Sequence, residues 1–156
     1  MSGAIEAKLA ELGITLPEAA APAANYVPFV KSGNQLFISG QVPMSPEGLK
    51  FQGKLGDSMQ TEEGAEAAKL CAINLIAQMK AATGDLDKVV RIVKLVGFVN
   101  STLEFGEQPA VVNGASNFMV EVFGDKGRHA RSAVSAASLP FGVAVEVEAI
   151  VEVADD

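Results

Sequence analysis

Apolar and polar residues alternate most cleanly near the C-terminus. Val143, Val145, Val147, Ala149, Val151 and Val153 hold the odd positions of 143–153, with Glu146, Glu148 and Glu152 between them. A period of two predicts a strand with one covered face. Ala144 and Ile150 share the acidic face, so that face also reads as partly covered, and another subunit could supply the cover. The helical period is clearest at Ala68, Ala72, Leu75 and Met79, with Cys71 and Ile76 alongside. Thr61 reads as the N-cap of this helix, Glu62 and Glu63 suit its positive end, and Gly84 ends it.

The remaining elements follow from weaker patterns. Ile5, Leu9 and Leu12 form one stripe of a short helix that Gly13 stops, and Pro17 and Pro22 make 16–24 a connector. Residues 34–42 alternate as a strand ended by Pro43. Ser45-Pro46-Glu47-Gly48 is turn chemistry, and 49–52 reads as a short returning strand, giving a hairpin. Residues 88–100 match neither period well, but the β-branched Val89, Val90, Ile92, Val93, Val96 and Val99 favour a strand in which Gly97 marks a bulge. Pro109 opens a helix with an apolar face of Val111, Val112, Ala115, Phe118, Met119 and Val122, ended by Gly124. Residues 131–137 read as a strand. The order predicts one α+β domain over 1–156, with a mixed sheet and two main helices on one face, preceded by a short helix and connector at 3–24.

At 156 residues, with 49% hydrophobic residues, the chain can bury a single core. No charge-free apolar run approaches the roughly 18 residues of a membrane span, and residues 1–6 do not read as a secretory leader. One cysteine excludes an intrachain disulfide, so a cytoplasmic location is expected. A net charge of −7, no tryptophan and one tyrosine argue against nucleic acid as a partner.

One His and one Cys cannot supply a conventional structural zinc site, and no Walker loop or dinucleotide fingerprint is present, so neither metal nor cofactor is expected. Cys71 lies on an inward stripe and reads as a small hydrophobe. His129 is weighed as a general base. Arg128 and Arg131 beside it would lower its proton affinity, and the plainer reading is a surface residue at a strand edge. Arg131 stands in an otherwise neutral strand, 130–137. Its guanidinium must reach solvent, pair with Glu146 or Glu148, or take an anionic ligand, and its planar fork suits a carboxylate. Glu146 and Glu148 read on their own as a solvated sheet face.

Together these segments resemble the Rid (RidA/YjgF) family. The resemblance rests on Arg131-Ser132-Ala133-Val134, Leu139-Pro140 and Val145-Glu146-Val147-Glu148-Ala149-Ile150. It extends to Gly33-Asn34, Ser39-Gly40-Gln41-Val42-Pro43, Tyr26, and Gly97-Phe98-Val99-Asn100 with Asn113 and Phe123. It spans about 25–153, and the segment from 3 to Pro17 is similar to the longer-chain branch of that family. The resemblance implies a chorismate-mutase-like fold and a homotrimer with clefts between subunits. The implied reaction is hydrolysis of reactive 2-imino and enamino acids to 2-keto acids and ammonia. It implies that Arg131 clamps the substrate carboxylate and that Glu146 holds the attacking water. Tyr26 and Asn113 would line the cleft, with Ser39, Gly40 and Ala133 as further ligand contacts. Ala133 departs from the cysteine common in that family at this position. The alternative is a non-catalytic trimer that binds a small keto or amino acid.

Overall fold

The computed structural model describes residues 3–21 and 25–155. Helix α1 (Ala4–Glu11) opens the chain and closes at Gly13, whose φ of 75° suits glycine. Strands β1 (Phe29–Ser32) and β2 (Gln35–Gln41) form an antiparallel hairpin, and β3 (Met44–Ser45) and β4 (Gly48–Leu49) form a second, minimal one. Helix α2 (Thr61–Thr83), strand β5 (Val89–Asn100), helix α3 (Gln108–Phe123), strand β6 (Ala130–Ala136) and strand β7 (Val145–Val153) follow. The main sheet runs β1-β2-β7-β5-β6, antiparallel throughout except for the parallel β5–β6 pair. This is the mixed α+β arrangement expected, with α2 and α3 packed on one face of the sheet.

The period of two in β7 translates directly into burial. Val145, Val147, Val151 and the other odd positions are buried beneath the helices, and the glutamates point the other way. That core joins Leu75, Ile76 and Met79 of α2 to Val111, Val112, Ala115 and Met119 of α3 and to Ile92, Leu95 and Val99 of β5. Burial of such side chains contributes about 1.5–3 kcal/mol each.

Four expectations need correction. Gln60, not Thr61, caps α2, its backbone N–H donating to Glu63 Oε1 at 3.0 Å. The first hairpin is β1–β2, and the turn at 45–48 joins only the two-residue strands β3 and β4. Pro109 is the second helical residue rather than the first. Gly97 marks no bulge: the register of β5 slips between Val89 and Arg91 and between Ile92 and Lys94. Gly97 lies where α3 crosses the sheet, and a Cβ there would meet Val112 Cγ2 at 2.5 Å. The absent side chain lets helix and strand approach closely.

Candidate functional site

The fold sorts the expected site residues into two groups on opposite faces of one sheet. Leu95 of β5 is buried under the helices; its register partner in β6 is Arg131 and its partner in β7 is Ala149. Arg131 therefore leaves the sheet on the helical side, as does Ala133 two residues on. Glu146 pairs with Phe98, whose side chain has the opposite parity, so Glu146 leaves on the uncovered side. Within one chain, an ion pair between Arg131 and Glu146 or Glu148 is thereby excluded.

Arg131 is instead tethered to α3. Its Nη1 donates to Asn113 Oδ1 at 2.7 Å and to Ser116 Oγ at 3.2 Å. Asn113 and Ser116 are three residues apart and so share one side of their helix. Among the described residues, no carboxylate lies within 4.0 Å of the guanidinium. Nη1 has spent both hydrogens on neutral acceptors, which leaves the Nε–Nη2 edge for a planar anion. His129 adjoins this group and is half-buried, not a surface residue: its Nε2 lies 2.8 Å from Ser116 Oγ and its Nδ1 contacts Gly127 O. Burial and, less strongly, the Arg131 charge push its proton affinity below the ordinary histidine value, against the raising effect of the Gly127 carbonyl.

Glu146 belongs to a cavity of about 240 Å³ lined by Tyr26, Ser39, Gly40, Met44 and Phe141 among others. Between Ile38 and Gln41 the register of β2 against β7 shifts, and Ser39 and Gly40 occupy the bulge. A Cβ on Gly40 would fall on Glu146 Oε2, so glycine leaves room for the carboxylate to fold across β2. Burial, and then the neighbouring Glu148 charge, raise the Glu146 pKa above the usual carboxylate value. Tyr26 and Phe141 stand exposed at the rim. Phe141 adopts a φ of 61°, a conformation unfavourable for a bulky residue, and Gln52 Nε2 holds its carbonyl at 2.8 Å.

Sequence reasoning missed Ser116, Met44 and Phe141. The i, i+3 spacing of Asn113 and Ser116 was the available signal for the first; the strain at Phe141 has none. Cys71 is fully buried, its Sγ 3.6 Å from Val145 O, and burial drives its thiol pKa up. Among the described residues, no three His, Cys, Asp or Glu side chains cluster as metal ligands. No helix among them is long and apolar enough to cross a membrane.

Residues 6–153 match the family model described as "YjgF/chorismate mutase-like, putative endoribonuclease". The chain is 55% identical over 152 residues to Protein TCP17 of Trypanosoma cruzi, covering 97% of this chain and 95% of that one. Its fold matches the crystal structure of Atu1372, a protein of unknown function from Agrobacterium tumefaciens, with a TM-score of 0.90 at 52% identity, over 96% and 92% of the two chains. It also matches Escherichia coli TdcF with bound serine, with a TM-score of 0.62 at 26% identity, over 86% and 93%. The chain belongs to the YjgF/RutC/RidA family.

Proposed function

We propose that the protein hydrolyses 2-imino and enamino acids to 2-keto acids and ammonia, in clefts between the copies of a homotrimer. The observation that carries this reading is the Arg131 guanidinium, tethered by neutral groups and, among the described residues, with its Nε–Nη2 edge uncommitted. Such an edge takes the substrate carboxylate bidentately. In one chain Glu146 faces away from Arg131, so a cleft combining them draws Arg131, Asn113 and Ala133 from one copy and Tyr26, Ser39, Gly40 and Glu146 from its neighbour. The uncovered face, with Val30, Phe37 and Val134 exposed, supports such an assembly.

Within that cleft Glu146 accepts a proton from water as the water oxygen bonds to the imine carbon. That proton passes to nitrogen, giving a carbinolamine; Glu146 then takes the hydroxyl proton as the C=O bond forms and delivers it to the amino group, so the C–N bond breaks and ammonia leaves. The raised Glu146 pKa suits both halves of this transfer. An imine is already electrophilic, so orientation and one base are adequate, without a cofactor. TdcF carries serine, a small amino acid, which agrees with a ligand bearing a carboxylate. The endoribonuclease description of the family model fits less well, because a net charge of −7 opposes binding to phosphate backbones.

The test is ammonia release from 2-iminopropanoate generated in situ by an amino-acid oxidase. Acceleration over buffer supports the reading. Tight binding of 2-ketobutyrate without acceleration establishes the non-catalytic binding alternative instead.

A further inference from the structure

We propose that His129 is a positioning residue for Arg131, acting through the Ser116 hydroxyl. The role rests on the proposed function only for the kinetic part of its test. His129 Nδ1 lies against the Gly127 carbonyl, which can only accept, so Nδ1 carries the proton in the neutral ring. Nε2 is then a bare lone pair 2.8 Å from Ser116 Oγ, and it takes the hydroxyl hydrogen. With that hydrogen committed, Ser116 Oγ turns its lone pairs towards Arg131 Nη1 at 3.2 Å. Gly127, His129, Ser116 and Arg131 thus form a directed chain in which each group has one orientation. Asn113 Oδ1 fixes the second Nη1 hydrogen at 2.7 Å.

Without the histidine, the hydroxyl could rotate its hydrogen towards the guanidinium and repel it. A proton on Nε2 would have the same effect, turning the ring from acceptor to donor. The surroundings oppose that proton. The charged side chains lining the cleft are Arg128 and Arg131, while α3 contributes Ser116, Asn117 and Val120. Arg91 of β5 reaches the same corner, donating to the Arg128 carbonyl at 2.8 Å. Asp125 sits 3.4 Å from Arg128 Nε, at the exposed end.

His129 is the sole histidine of the chain, so its ring resonances are unambiguous. Nitrogen-15 spectra without substrate are expected to show the Nδ1-protonated neutral tautomer. The His129 pKa should rise in Ser116→Ala, which removes the donor to Nε2, and in Arg131→Met, which removes the adjacent charge. The Nε2-protonated tautomer, or a pKa indifferent to both substitutions, overturns the relay.

The kinetic part compares imine hydrolysis by His129→Leu, His129→Gln and Ser116→Ala. Losing one neutral hydrogen bond predicts about a two- to tenfold fall in kcat/KM for His129→Leu and for Ser116→Ala. Their double variant should lose no more than either alone. Glutamine, which can offer an oxygen to the hydroxyl, should recover most of the loss. Equal activity of the Leu and Gln variants, or losses that multiply in the double variant, overturns the positioning role. The spectra decide the relay without turnover. A wild-type protein inactive on imines would therefore refute the proposed function while the relay stood or fell on its own measurement.

Discussion

Replacing Arg131 with alanine separates a ligand clamp from a structural ion pair, because the two assign the residue opposite costs. As a clamp, Arg131 makes charge-assisted hydrogen bonds to substrate; losing even one, at about 1.5–3 kcal/mol, should lower kcat/KM at least roughly 10- to 150-fold. The structural cost should be small. Asn113 is exposed, Ser116 keeps its bond to His129, and no carboxylate loses a partner. We expect a loss below about 1 kcal/mol, a shift of roughly 2–4 °C in Tm for a chain of this size. Breaking a buried ion pair would cost about 3–5 kcal/mol, equivalent to some 6–20 °C. Circular-dichroism melting, light scattering and ammonia release on one preparation give all three quantities. Arg131→Lys should recover little activity, since an ammonium lacks the planar fork. A stable Arg131→Ala protein with wild-type kcat/KM, or one that melts more than about 10 °C early, would refute the reasoning.

Glu148→Gln should move the acid limb of kcat/KM to lower pH, because Glu148 helps to hold the Glu146 pKa up; an unmoved limb would contradict that coupling. The folded Glu146 carboxyl holds its proton more tightly than the unfolded one. It therefore costs stability as pH rises from 4.5 through its raised value, and Glu146→Gln should melt higher than wild type at pH 7 but not at pH 4. Gly97→Ala should cost about 1–3 kcal/mol by pressing on Val112, and Val112→Ala in the same chain should recover part of it; additive losses would show the contact to be unimportant. Light scattering should give three times the 16.2 kDa chain mass, and a stable monomer at micromolar concentration would remove the shared cleft.

The legible parts of the fold were those whose periods survive without knowledge of neighbours. β7 and α2 could be read because buried positions recur at two and at 3.6 residues, and Gly13, Gly84 and Gly124 marked helix ends. β1 was not, because Val30, Lys31 and Ser32 of this edge strand are all exposed and leave no alternation. Gly97 looked the same as a bulge glycine, since both need a missing side chain; only the path of α3 tells them apart. Arg131 and Glu146 stood out as charges in strands. Their placement on opposite faces depended on strand order and register, which pair residues 146 and 98 and residues 131 and 95 across long separations. The Ser116–His129 contact joins a helix to a strand edge, and no local spacing announces it.

The opposed directions of Arg131 and Glu146 make each copy of the chain a donor of one half-site on either side. This has a genetic consequence. Arg131→Ala and Glu146→Gln chains, each strongly impaired alone, should complement when refolded together. In any mixed closed ring of three, one cleft receives an intact arginine from one chain and an intact glutamate from the other, and the remaining two clefts are defective. Random equimolar mixing makes about three quarters of the rings mixed, so about one quarter of the wild-type activity should return. Two lesions placed in the same chain and mixed equally with wild type should likewise leave about one quarter of the wild-type activity, against about one half if the rings do not exchange chains. Activity above the sum of the two impaired proteins would locate the boundary through the cleft without any structure of the assembly.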